Sequence, residues 1–439
     1  MDVLRDGIEA DREELRVPGV SWAVIENGEI THTGTAGVRT ADTSAAVEPD
    51  TLFQAASISK PVAALAMLRL VDRGMLDLDE DVNNRLKSWQ VPPTRAWQPV
   101  VTLRQLASHS AGMTTPGFPG YRTGAPLPTT VEILTGAAPS NTVGPRVERI
   151  PGVQFAYSGG GTTVIQQLLE DVTSTPFRDL MRELVLDPLG MTDSAYAQPL
   201  PPDLASRAAT GHSEKGEPVD GGWHVYPELA AAGLWTTPTD LARFAIGVHQ
   251  SYAGAHGALL SPELARQMLT PLIRLDPPIA GLTHVGIGPF LNASGQLFGH
   301  SGGNLGFRCN LLTDRMTGYG AVVMTNSDGG NRLSLRAFAA AASAYGWENY
   351  RPVDELFDLP APEVLTELAG DYRLGDRTRL AVQPWGSGLM VTFEGQPPLR
   401  FIPLSDARFM ASATQAQLEL RDGRLVFEQA GFELDCVRE

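Results

Sequence analysis

AASISKPVAAL, residues 55–65, is the stretch on which the reading of this chain turns. It holds one of only three lysines in 439 residues, Lys60, three positions after Ser57; the others are Lys87 and Lys215. Residues i and i+3 share a helix face, so the two side chains point the same way. Pro61 fits only in a first turn, where the N–H it lacks has no helical partner anyway. That puts Ser57 at a helix start, where backbone N–H groups and the positive end of the dipole favour negative charge. A serine hydroxyl is a weak nucleophile without a base beside it. A lysine becomes such a base when burial lowers its pKa, and VAALAMLRLV (62–71) is apolar enough for a buried helix. The same spacing also suits a plain helix cap beside a solvated lysine, and Ser-x-x-Lys alone does not separate the two.

Around this helix, strands are expected at both ends of a long region and helices between them. An amphipathic helix is expected over residues 3–15. VSWAVIE and EITHTGTAG then flank Asn27-Gly28, a strong hairpin signal. The Ser57 helix closes near Gly74, and further helices are expected at 162–172, 176–185 and 239–249. Strand character returns in QLFGH (296–300), GFRCNLLTD (306–314) and GYGAVVMTN (318–326), followed by a helix over 333–344. The pattern predicts an α+β fold: one antiparallel sheet flanked by helices, its strands drawn from both ends, with a helical insertion. RPVDELFDLPAPEV (351–364) reads as a linker between a domain at 1–350 and a small antiparallel all-β domain at 365–439. The last of these shows seven strand-like runs, from LAVQP to FELDCVRE.

Composition narrows the function. A net charge of -16 argues against nucleic acid or an anionic membrane as partner. The opening MDVLRDGIEADREEL has neither the basic start nor the apolar stretch of a signal peptide, and no run is long enough to cross a membrane. A soluble, cytoplasmic protein is expected. Cys309 and Cys436 lie far apart in sequence and outside any Cys/His cluster, so neither a disulfide framework nor a metal site is expected. No cofactor is implied, and composition says nothing of oligomeric state.

GHSGG (299–303) matches the nucleophile elbow of α/β-hydrolases, with Ser301 as nucleophile. That fold needs a histidine later in the chain, and all eight histidines lie at or before position 300. It also needs alternating βαβ units, which the pattern lacks.

Two further motifs decide in favour of Ser57. Tyr157-Ser158-Gly159 lies in PGVQFAYSGGG just before a helix, and His300-Ser301-Gly302 lies in LFGHSGGNLGF at the end of a strand. Either could be simple packing on its own. In this order, with TLFQAASISKPVAALAMLRLVDRG, VTLRQLASHSAGM, LVLDPLGMTDS and AAGLWTTPTDLARFA between and around them, the chain resembles the serine β-lactamase and penicillin-binding-protein superfamily over residues 10–346. The likeness is to its class C β-lactamase, family VIII esterase and D-aminopeptidase branch, with a lipocalin-like C-terminal domain. The resemblance implies a serine hydrolase that acts on an ester or amide of a small molecule or peptide through an acyl-enzyme. An acyltransferase or peptide cyclase, and a catalytically silent peptide-binding module, are the alternatives. It implies Ser57 as nucleophile, Lys60 as its base or proton relay and Tyr157 as the third group. The N–H groups of Ser57 and Gly303 would form the oxyanion hole, with His300 and Gly302 completing the third motif. Trp223, His224 and Tyr226 either line the pocket or pack as core aromatics. Two positions depart from the pattern: Gly159 stands where an asparagine is frequent, and His300 where a lysine is frequent. Both weaken the case for β-lactam or carboxylate recognition.

Overall fold

The structure is a computed structural model that describes residues 2–279, 281–347, 350, 360–375, 378–385, 388–403, 407–411, 416–421, 423–429 and 432–439. The chain divides into two compact units, 1–350 and 351–439.

In the first unit, strands β1 (Gly19–Glu26) and β2 (Glu29–Gly37) form the expected hairpin. Asn27 and Gly28 both take positive φ, 51° and 74°, as the tight turn that matches strand twist requires. Strands β3 (Ile273–Ile279), β4 (Leu282–Val285), β5 (Phe290–Leu291), β6 (Leu297–Asn304), β7 (Phe307–Asp314) and β8 (Gly320–Thr325) complete an eight-stranded sheet. Its order is β2-β1-β8-β7-β6-β5-β4-β3, so strands from the two ends of the unit meet where β1 pairs with β8. The helical segments lie in the sequence between, as expected.

The sheet is covered on both faces, which is why β1 is buried almost without interruption. Ala23 and Ile25 of β1 enter the larger core with the Ser57 helix, α2 (Ser59–Asp72). Val20, Trp22 and Val24 enter a second core with α1 (Asp2–Glu14) and α3 (Gly330–Tyr345). Arg336 of α3 ties the two outer helices by pairing with Asp11 and Glu14.

Sequence reading missed β3 to β5. The prolines in β3, IRLDPPI, argue against a strand, but β3 is the sheet edge, where a missing N–H costs no ladder bond.

In the second unit, strands β9 (Gly370–Leu374), β10 (Thr378–Trp385), β11 (Gly388–Phe393), β12 (Leu399–Pro403), β13 (Arg408–Ala411), β14 (Gln417–Arg421), β15 (Arg424–Gln429) and β16 (Phe432–Arg438) close a barrel in sequence order. Leu380, Val382, Leu389, Val391, Phe401, Phe409 and Leu418 fill it. The seven runs of the sequence pattern begin only at β10, so β9 is an addition of the structure. The expected linker, 351–364, falls largely on 351–359, outside the described residues, and a helix covers Pro362–Leu368. Among the described residues, no helix is long and apolar enough to cross a membrane.

Candidate active site

Ser57 sits in a 3₁₀ turn, Ala56–Ile58, immediately before α2. A 3₁₀ turn has three residues per turn, so side chains at i and i+3 eclipse. Lys60 Nζ accordingly donates to Ser57 Oγ at 2.9 Å. Its second bond, 2.8 Å, goes to the carbonyl of Ala231 on the short helix Leu229–Ala232. Lys60 is only 5% exposed, and both of these partners are neutral. Ala56 holds φ of +48°, an unusual value for alanine, at the residue that delivers Ser57.

Tyr157 comes from the turn before the helix Gly159–Thr173, and Lys60 Nζ lies 5.0 Å from its ring centroid. Ser158 caps that helix by accepting from Gly161 N–H at 2.8 Å. His300 is buried, its ring stacked on Phe290 at 4.2 Å and 6.5 Å from that of Tyr157. His300 Nδ1 lies 2.6 Å from the carbonyl oxygen of Ser301. A carbonyl only accepts, so Nδ1 carries the proton and Nε2 the lone pair. Burial, then the charge of Lys60, pushes the imidazole pKa down to about 3. His300 is therefore neutral at physiological pH and offers no cation where the family pattern often has lysine.

Two glycines of the motifs mark close approaches. A Cβ at Gly302 would lie 2.1 Å from the Ala55 carbonyl, so only glycine lets β6 close on the Ser57 turn. A Cβ at Gly159 would lie 2.9 Å from the Phe118 ring and 3.2 Å from the Pro116 carbonyl. Phe118 thus fills the space into which an asparagine at 159 would grow. Gly303 lies beside the Arg308 guanidinium, which pairs with Asp328 at 2.9 Å.

The sequence-predicted residues divide. Ser57, Lys60, Tyr157 and His300 are brought together with the Gly302 strand. Tyr226 is buried, and its hydroxyl accepts from Leu305 N–H just beyond Gly303. Trp223 packs edge-on against Trp235 of the main core, and His224 Nδ1 bonds the Pro119 carbonyl. Ser301 lies within strand β6 rather than on a strand-to-helix turn, as a nucleophile elbow requires. Sequence reading missed Ala231, Phe118 and His109, which reach the site through tertiary contacts alone. Among the described residues, no cluster of His, Cys, Asp and Glu could hold a metal ion.

The profile of the family described as Beta-lactamase matches residues 4–346. The chain belongs to the β-lactamase family. The esterase EstB of Burkholderia gladioli is 27% identical over 254 residues, 56% of this chain and 64% of its own length. Penicillin-binding protein 4 of Amycolatopsis lactamdurans is 28% identical over 251 residues, 55% of this chain and 62% of its own. The match thus spans less than two thirds of either relative. The octameric penicillin-binding protein homologue from Pyrococcus abyssi shares the fold, with a TM-score of 0.70 at 23% identity, over 99% of this chain and 100% of its own.

Proposed function

We propose that this β-lactamase-family chain is a serine hydrolase that cleaves an ester or amide of a small molecule or peptide through a covalent acyl-enzyme on Ser57. The observation that carries the reading is the 2.9 Å contact between buried Lys60 Nζ and Ser57 Oγ. In the reaction, Ser57 Oγ bonds to the substrate carbonyl carbon and its proton passes to Lys60. The N–H groups of Ser57 and Gly303 hold the developing oxyanion. Tyr157 relays the proton to the departing alcohol or amine, and water then releases the acid. Residues 1–350 supply all three motifs, and the β domain at 365–439 supplies none. The test is labelling with a fluorophosphonate, read by intact mass. Ser57→Ala should abolish labelling and turnover, and Ser301→Ala should keep both. An adduct on Ser301, or full activity in Ser57→Ala, would sink the assignment.

Efficient β-lactam turnover needs the substrate's side-chain amide and carboxylate to be held. Phe118 stands where an asparagine side chain would hold the first, and neutral His300 where a cation would hold the second. Each lost hydrogen bond is worth about 0.5–1.5 kcal/mol. Together they predict a loss of about 5- to 140-fold, at roughly 1.4 kcal/mol per decade. Short-chain esters lack both groups and are spared. The kcat/KM for p-nitrophenyl butyrate is expected to exceed that for a chromogenic cephalosporin, and a cephalosporin value equal to or above it would refute this preference.

A further inference from the structure

Tyr157 is held from both sides by one residue that none of the three motifs includes. His109 is fully enclosed, 2% exposed, in the turn after the short helix Leu103–Ala107. Its backbone carbonyl accepts from Ala156 N–H at 2.7 Å. Its ring Nδ1 accepts from Ser158 N–H at 3.2 Å. The residues on either side of Tyr157 are thus bonded to the same histidine. The imidazole lies against the Tyr157 ring itself, with centroids 4.3 Å apart, and edge-on to Phe155 at 6.1 Å.

The bond from Ser158 fixes the chemistry of the ring. A backbone N–H only donates, so Nδ1 must be the unprotonated nitrogen and the proton of the neutral ring sits on Nε2. Burial, with the Lys60 charge beside it, holds the imidazole pKa well below its usual value, in keeping with that state. His109 also takes φ of 55°, in the left-handed region, which only glycine, asparagine and a few other residues adopt readily. Without that backbone turn, carbonyl and ring could not both reach the Tyr157 segment.

We infer that His109 is a positioning residue that clamps Tyr157 over Lys60 by accepting from the backbone N–H of Ser158 while its carbonyl holds Ala156. This rests on the function proposed above and adds to it the residue that sets the tyrosine's place. The clamp requires an acceptor at the δ position and a backbone tolerant of positive φ. Asparagine supplies both, because its Oδ1 occupies nearly the place of Nδ1 and it enters the left-handed region readily. Alanine supplies neither the acceptor nor the tolerance.

The test is a double-mutant cycle on the full chain, with kcat/KM for p-nitrophenyl butyrate and the rate of fluorophosphonate labelling at Ser57 as readouts. His109→Ala is expected to slow both at least about tenfold, and His109→Asn to stay within about threefold of the parent. If His109 acts through Tyr157, His109→Ala added to Tyr157→Phe costs nothing more. Multiplied losses in the double variant, or a His109→Asn protein as slow as His109→Ala, would overturn the clamp. If His109→Ala does not fold, the Asn variant decides: near-parent rates support the clamp, and a loss beyond tenfold in folded protein refutes it. Failure of the underlying function looks different, since labelling would then survive Ser57→Ala.

Discussion

Lys60→Met is expected to cut the acylation rate of Ser57 by p-nitrophenyl esters at least about 10²-fold, the usual range for loss of a positioned proton-transfer partner. Methionine keeps the length and apolar stem of the side chain, so the buried face of α2 stays filled. What disappears is the group that bonds Ser57 Oγ at 2.9 Å and the Ala231 carbonyl at 2.8 Å. Lys60→Arg should be as slow, because a guanidinium keeps its proton and cannot serve as base. That second variant separates proton transfer from charge: an arginine enzyme with near-parental activity would mean that only a cation is needed. Tyr157→Phe should lose about 10²-fold too, while keeping the ring contacts with His109 and Phe290. Near-UV circular dichroism would confirm that each variant is folded. Activity within tenfold of the parent in folded Lys60→Met would remove Lys60 from the role proposed for it.

How much of this was legible beforehand follows from how local each feature is. Ser57 and Lys60 sit three apart in one turn, so spacing alone places them on one face, and the structure changes only the turn from α to 3₁₀. The Asn27-Gly28 hairpin was equally local in signal, whereas the pairing of β1 with β8, as of Val20 with Thr325, was legible only from strand patterns falling at both ends of the unit. The departure at Gly159 was visible in the sequence, but not that Phe118, forty-one positions earlier, fills the space. His109 is invisible for the same reason: its work is done through bonds to Ala156 and Ser158, which no periodicity encodes. Strand β3 was hidden because its prolines obey an edge-strand rule that applies only once the sheet order is known.

A further residue that the motifs leave out, Glu228, carries the last prediction. It precedes the short helix whose Ala231 carbonyl holds Lys60, it is fully buried, and among the described residues no other residue hydrogen-bonds either carboxyl oxygen. Burial pushes its pKa up to about 8, so the folded protein holds it as the neutral acid near pH 7. An exposed glutamate in the unfolded chain titrates near 4.3. With the folded pKa raised, the carboxyl costs no stability below the unfolded value. Above it, stability falls as pH rises, until the folded acid also ionises near pH 8. Each pH unit in that window costs about 1.4 kcal/mol. Glu228→Gln removes the titration and keeps the size. The two proteins should therefore unfold alike in urea at pH 4. By pH 8 the glutamine variant should be more stable by several kcal/mol, on the order of 5 at this slope. His109 and His300 act in the opposite sense, since their folded pKa values are depressed: both proteins lose stability as pH falls below about 6.5. That loss is common to parent and variant, so the difference between them isolates Glu228. A difference that stays flat from pH 5 to pH 8 would mean that the carboxyl is already ionised and partnered in the folded protein.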